Sequence, residues 1–374
     1  MRFTLSSSAL NERLQALFKV INSKNSLSIL ESFRFQVSNG QVMITASDGE
    51  NVMQSRLTLD ESDGDGLFAI PSHTILDAVK ELPEQPLTFE VNLSTYEVIV
   101  DYQNGQYQFA AQSAEDYPLV DNVVENATVI TIDSNLLVND INHTIFATDN
   151  SEIRPVMNGI FFDLSTESLA VVASDGHKLV RCRNYNIKGE TAASFILPKK
   201  PATLLRNVLD KTGGDVIVKF NSSSAEFDYA EGKLICRLIE GVFPNYNAAI
   251  PEDNPNELII DRKTLLSAIR RVLPFASMSS QLVRFHLTSG TLEISSEDLD
   301  FATRANEKIV CEYNGTPLQI GFRGDFFMEI LNAIDSDSIR IMLGDPSRAG
   351  VVIPTEQEEN EDVLMLIMPL LLND

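Results

Sequence analysis

Ser174, Asp175 and His177 fall within four positions of one another in VVASDGHKLV (171–180). A hydroxyl, a carboxylate and an imidazole are the parts of a nucleophile, its base and the acid that orients the base. Two features argue against that chemistry. Neighbours along a strand face opposite ways, so three near-adjacent side chains rarely converge on one atom. In addition, Ala-Ser-Asp-Gly occurs upstream in MITASDGENV (43–52), where no histidine follows. A motif that recurs with its histidine in one copy is first of all a turn, a geometry that Asp and Gly suit. No GxSxG, P-loop, HExxH or Rossmann fingerprint supports an enzyme of those classes. Cys182, Cys236 and Cys311 stand alone. That pattern suits neither a zinc cluster nor a disulfide framework, and no metal or cofactor is expected.

The elements that must position this turn also recur. Shifting the chain by 127 lays Leu10 on Leu137, Phe35 on Phe162, Ile44 on Val171 and Asp48 on Asp175. Shifting by 250 lays FRFQVSNG (33–40) on VRFHLTSG (283–290) and Asp48 on Asp298, and a shift of 255 lays Leu10, Leu14, Leu17 and Phe18 on Leu265, Ile269, Val272 and Leu273. Each third reads as a short strand (RFTL, VITI, ELII), an amphipathic helix with apolar residues at i, i+4 and i+7 or i+8, and a hairpin. A second strand and helix follow: GLFAIP with SHTILDAVKEL, SFILP with KPATLLRNVL, and LQIGF with GDFFMEILNAI. Asn39-Gly40 predicts a type I′ turn, and Thr288-Ser289-Gly290-Thr291 is expected to make the same one. Polar, turn-rich stretches at 121–126 and 251–257 divide the chain into domains 1–122, 123–250 and 251–374.

The 374 residues carry a net charge of −24, so the molecule as a whole should repel nucleic acid and anionic membranes. The cations are not evenly spread. Lys263, Arg270 and Arg271 lie opposite the apolar stripe of the helix near 261–273, and Lys199, Lys200, Arg206 and Lys211 lie off the stripe near 198–211. The six candidate helices together carry roughly +4, leaving roughly −28 elsewhere. Ordinary solvated helix faces would account for this, and so would helices that face DNA phosphates. The amino-terminal stretch lacks the apolar core of a signal peptide, and VLMLIMPLLL (363–372) is about half a membrane span. A cytoplasmic protein that does not enter membranes is expected. The acidic run EQEENED (356–362) reads as a solvated loop.

With these features together, the chain resembles the bacterial DNA polymerase III beta subunits, the sliding clamps. The resemblance covers the whole length. It rests most on ASDGHKL (173–179) with MNGIFFD (157–163), on GVFPNY (241–246) and on IMPLLL (367–372). It implies an α+β fold of three repeated clamp domains, each with two helices packed on antiparallel sheets. Two chains would form a head-to-tail homodimeric ring with helices lining the hole. Twelve helices spaced roughly 10 Å apart leave a hole of about 30 Å, wide enough for B-form DNA. The function implied is a processivity factor without catalysis. It would encircle duplex DNA non-specifically and tether the polymerase III alpha subunit, the clamp loader and other replication and repair proteins.

The resemblance also implies sites. Partners would insert a peptide with a glutamine and two large apolar residues into a pocket between domains two and three. Met157, Ser174, Gly176, His177, Lys178 and Leu179 would contribute from domain two. Pro244, Ala248 and Ala249 would come from the connecting segment, and Gly350, Leu366, Met368, Pro369 and Leu370 from domain three. Ala248 and Leu371 stand where family members often carry arginine, which makes this pocket less basic. Lys24, Arg154, Lys199 and Lys200 would contact DNA phosphates. Tyr107 and Phe109 would meet Val272 and Leu273 across the dimer interface.

Overall fold

The computed structural model describes residues 1–22, 25, 27–120 and 127–372, leaving aside the side chains of 211 and 212. Lys24, the boundary segment 121–126 and the tail Asn373-Asp374 lie outside the described residues.

The strand–helix unit predicted six times is present six times. Strands Arg2–Ser6, Gly66–Pro71, Thr128–Asp133, Ala193–Pro198, Asn256–Asp261 and Leu318–Arg323 each run directly into a helix. The helices are α1 (Ser7–Phe18), α2 (Ser72–Val79), α3 (Ser134–Thr144), α4 (Lys199–Thr212), α5 (Arg262–Val272) and α6 (Gly324–Ala333). Polar residues at the junctions start several of them. The Ser6 hydroxyl accepts the Ala9 amide, and the Asp261 carboxylate accepts the Thr264 amide at 2.7 Å. Each satisfies an amide that the first helical turn leaves without a partner. The inward stripes are those expected: Leu10, Leu14 and Leu17 in α1, and Leu265, Leu266, Ile269 and Val272 in α5 are buried.

The hairpins hold their registers but not one turn type. Asn39 and Gly40 both have positive φ, 52° and 69°, as type I′ requires. In the third copy Gly290 has φ 72°, whereas Ser289 is absent from the positive-φ residues. The expected repetition of the turn therefore fails at one residue. Asn tolerates the left-handed region at small cost, and Ser does so less readily.

The chain forms two compact units, residues 1–138 with 200–238, and 139–199 with 239–374. The first holds a five-stranded sheet and an eight-stranded sheet. In the eight-stranded sheet, Gly232–Arg237 of the second third pairs antiparallel with Asn51–Thr58 of the first, Leu234 opposite Met53. The second unit holds a nine-stranded sheet and a five-stranded sheet. In the nine-stranded sheet, Lys178–Asn184 pairs with Glu361–Ile367, Leu179 opposite Leu366. Continuous hydrogen-bonded sheets thus stitch the repeats together.

The repeat extends into the core. Phe35, Phe162 and Phe285 occupy equivalent positions and are fully buried. Phe35 stacks on Phe68 at 5.4 Å and Phe162 on Phe195 at 4.6 Å, each from directly opposite registers. Phe285 instead meets Phe322 edge-on, because in that copy Phe322 lies opposite Val283, a diagonal step away.

Candidate partner-binding site and DNA contacts

The Ser-Asp-Gly segment is a turn built the same way in two copies. Ser47 Oγ accepts the Gly49 amide and Ser174 Oγ accepts the Gly176 amide, both at 3.1 Å. Asp48 Oδ1 accepts the amides of Glu50 and Asn51. Asp175 Oδ1 accepts those of His177 and Lys178, at 2.8 and 2.9 Å. Gly49 and Gly176 have φ 92° and 85°, where a side chain would be strained. The Ser174 hydroxyl donates to the Lys178 carbonyl at 2.9 Å. Both triad-like oxygens are thus spent on backbone, and His177 is left exposed at the tip. The segment is a scaffold that presents His177.

Around this tip the second unit assembles most of the expected pocket residues. The Met368 amide donates to the His177 carbonyl at 2.8 Å, bringing the carboxy-terminal segment beside the turn. Leu179 and Leu366 are buried in one apolar cluster with Val172, Val351, Phe243 and Tyr246. Phe243 stacks on Phe161 at 4.7 Å, which fixes GVFPNY to the sheet and leaves Pro244, Ala248 and Ala249 exposed. Met368 is exposed, and Pro369 and Leu370 are half-buried in a short strand opposite Phe322 and Gly321. Met157, Ser174, Lys178 and Gly350 are buried, so they support the site from below.

Lys178 is the most constrained of these residues. Its ammonium, 5% exposed, contacts Asp175 Oδ2 at 2.6 Å and Glu329 Oε2 at 3.1 Å. It also sits 4.0 Å from the centre of the Phe326 ring, and the Arg323 guanidinium stacks on that ring at 4.7 Å. The His177 ring lies 6.0 Å from Phe326. Arg323, Phe326 and Glu329 were not singled out from sequence. Their spacing of three, at the start of α6, puts them on one face and was the available signal.

The cations proposed for DNA are held internally. Arg154 pairs with Asp149 at 2.8 Å and donates to the Asp175 carbonyl at 3.0 Å. Lys199 Nζ donates to the Asp149 carbonyl at 2.8 Å and to Asn150 Oδ1 at 2.5 Å, and burial lowers its pKa. Lys200 Nζ binds Asp48 Oδ2 and Asn22 Oδ1, each at 2.6 Å, and the Val20 carbonyl at 2.7 Å. Burial works to raise the Asp48 carboxyl, but Lys200 and the turn amides outweigh it and hold the group below the usual carboxylate range. Phosphate contact by Lys199 or Lys200 requires exchange of an internal partner, whereas the Arg154 side chain stays 45% exposed. Other helix cations are paired too, Arg13 with Glu231 and Arg271 with Glu307.

Val272 is 2% exposed inside its own unit, because it completes the inward stripe of α5. Leu273 is half-buried, as are Tyr107 and Phe109. Among the described residues, Gly105–Ala110 pairs only with Glu97–Tyr102, and Thr303–Val310 only with Thr291–Asp298, so both are sheet edges. Near the second edge, Phe275, Met278, Phe301 and Val310 are exposed, a set that periodicity alone did not flag.

The fold is shared with known proteins. The family models for the DNA polymerase III beta subunit match in order: the N-terminal domain at residues 1–121, the central domain at 131–245 and the C-terminal domain at 247–370. The beta sliding clamp of Pseudomonas aeruginosa is 25% identical over 371 residues, covering 99% of this chain and all of that protein. That of Escherichia coli is 25% identical over 370 residues, with the same coverage. A crystal structure of the Pseudomonas aeruginosa clamp bound to griselimycin superposes with a TM-score of 0.93 at 24% identity, over the full length of both chains. The Bacillus subtilis clamp gives 0.91 at 24% identity, again over both full lengths. With all three domain models matched in sequence across nearly every residue, this chain belongs to the DNA polymerase III beta subunit family.

Proposed function

We propose that this chain is a sliding clamp that encircles duplex DNA and tethers the replicative polymerase, with no catalysis of its own. The observation that carries this reading is the family match in the order of three domains, at residues 1–121, 131–245 and 247–370; the domain bounds 1–122, 123–250 and 251–374 are part of the proposal. Two copies would pair head to tail, Gly105–Ala110 of one against Thr303–Val310 of the other, closing a ring lined by helices. Such pairing covers these two sheet edges. Topology, and not affinity, then keeps a protein of charge −24 on DNA. The polymerase III alpha subunit, the clamp loader and other replication proteins would dock short apolar peptides at His177, Pro244, Met368 and Leu370. That surface combines adaptable methionine, rigid proline and open backbone, a mixture that suits an extended peptide.

The test is retention on DNA. The protein is loaded onto nicked circles with its own loading machinery and ATP, and half the sample is linearised. Retention on circles with loss from linear ends is the expected result. Equal retention on both forms would sink the clamp reading.

A further inference from the structure

Each third opens with a strand whose outer side needs a partner, and two of the three find one within the chain. In the first third, Arg2–Ser6 lies between Pro86–Asn92 and a short outer strand, Glu61–Asp63. In the last, Asn256–Asp261 lies between Ser338–Leu343 and another short outer strand, Glu312–Tyr313. In the middle third, Thr128–Asp133 pairs with Asp215–Phe220, and among the described residues no strand covers its other side. The segment at the matching place in sequence, 185–192, is bonded elsewhere. The Tyr185 amide donates to the Asn360 carbonyl and the Gly189 amide to the Ser165 carbonyl, each at 2.9 Å.

The side chains differ in the same way. The shift of 127 lays Arg2 on Val129, and the shift of 255 lays it on Glu257. Arg2 pairs with Glu90 at 3.5 Å and Glu257 with Arg340 at 3.2 Å. Charges on an edge discourage a foreign strand from adding to it. Val129 is instead 57% exposed, and Ile217 on the neighbouring strand is 42% exposed. The two are diagonal neighbours on the outward face, Val129 opposite Lys219 and Ile217 opposite Thr131, while Ile130 and Ile132 are buried on the other face. Lys219 and Lys233 are held by Glu226 and Asp228. Asp133 and Asp215 are exposed and directly opposite one another, with no ion pair among the described residues. Like charges so placed destabilise a strand pair and leave a place for a cation.

We infer that the open edge Thr128–Asp133 takes an extended segment of a partner protein, apolar where it passes Val129 and carrying lysine or arginine where it passes Asp133. Added as an outer strand, the segment continues the ladder with its backbone, as the two short strands do in the other thirds. Its alternate side chains then fall on the face of Val129 and Asp133. Those two residues are four positions apart, about 13 Å, so the cation stands four positions from the apolar residue on the partner too. A second copy of this edge is the poorer occupant, because it brings further aspartates to Asp133 and Asp215.

Three fluorescent nine-residue peptides test this by anisotropy. The first has lysine at each end, valine at the other odd positions and threonine between. The second has two adjacent central residues replaced by proline, which keeps the charge and removes a ladder donor on either side. The third has glutamate for lysine. The lysine peptide is expected to bind about 10-fold more tightly than either of the others, and to slow amide exchange at 128–133. Val129→Arg combined with Ile217→Thr gives this edge the outward residues of the first third, Arg2 and Thr88, at positions that are exposed. The double variant should keep its fold and lose that advantage. Equal affinity for the lysine and proline peptides overturns the inference. So does binding that survives the double variant, or protection that arises at 105–110 or 303–310 and not at 128–133. A parent protein larger in solution than the double variant, with no peptide present, would make a second copy the occupant and overturn it as well.

Discussion

Single residues in this chain separate into those that present a surface and those that hold it. His177 is exposed, while Lys178 beside it is buried between two carboxylates. His177→Ala should therefore weaken partner-peptide binding at least several-fold without moving the urea midpoint. Lys178→Met should cost stability, about 2 kcal/mol, because it strands Asp175 in a buried site, whereas Glu329 is half exposed and is compensated by water. Equal loss of stability in both variants would contradict this division. A second buried carboxyl, that of Asp140, lies within α3. Burial, with Glu361 nearby, pushes the Asp140 carboxyl up to about 8, against a contact from the Cys182 thiol. The unfolded carboxyl releases its proton near its ordinary value of 3.8. Between these values the folded state binds more protons than the unfolded one, so this group's contribution falls as pH rises through the window and is constant above it. Asp140→Asn should therefore stabilise the protein relative to the parent more at pH 8 than at pH 5, by at most about 1.4 kcal/mol per pH unit. A gap between the two melting curves that does not widen with pH would refute it.

At the scale of elements, local patterns were legible and distant pairings were not. Six strand–helix units, the inward leucines of α1 and the Asn39-Gly40 turn follow from periodicity and turn chemistry, which act over a few residues. The Ser-Asp-Gly turn was legible because it recurs without its histidine. Strand pairing between Asn51–Thr58 and Gly232–Arg237 was not, since alternation says which face a side chain takes and nothing about its partner strand. The contribution of α6 to the site was missed for a related reason. Arg323 and Phe326 are ordinary helix-surface residue types until the fold brings Lys178 to them. Gly232 marks the first joint. A Cβ there would lie 2.0 Å from the Gln54 carbonyl oxygen, a backbone atom that cannot swing aside. Gly232→Ala should break the pairing of Gly232 with Ser55 and raise amide hydrogen exchange across 51–55 and 232–236, while exchange in 282–294 stays unchanged. Unaltered protection at the joint would show that the strands can separate there without cost.

For the whole molecule, the open sheet edges decide whether one chain is enough. Thr303–Val310 has hydrogen-bonding groups free along one side, and beside it Phe301 is 78% and Val310 88% exposed. Apolar side chains of that size next to an unpaired edge invite association, and a closed head-to-tail pair covers this edge and the Gly105–Ala110 edge together. Apolar contacts that a partner chain buries cost nothing when removed from the isolated chain. Phe301→Asp combined with Val310→Asp should therefore leave helix content and the core phenylalanine packing intact while shifting the molar mass in solution from dimer to monomer. Because retention by topology needs a closed ring, the same variant should be lost from nicked circles as fast as from linear DNA, although its peptide affinity is unchanged. A variant that stays dimeric, or a monomer still retained on circles, would place the contact that closes the ring elsewhere than on this edge.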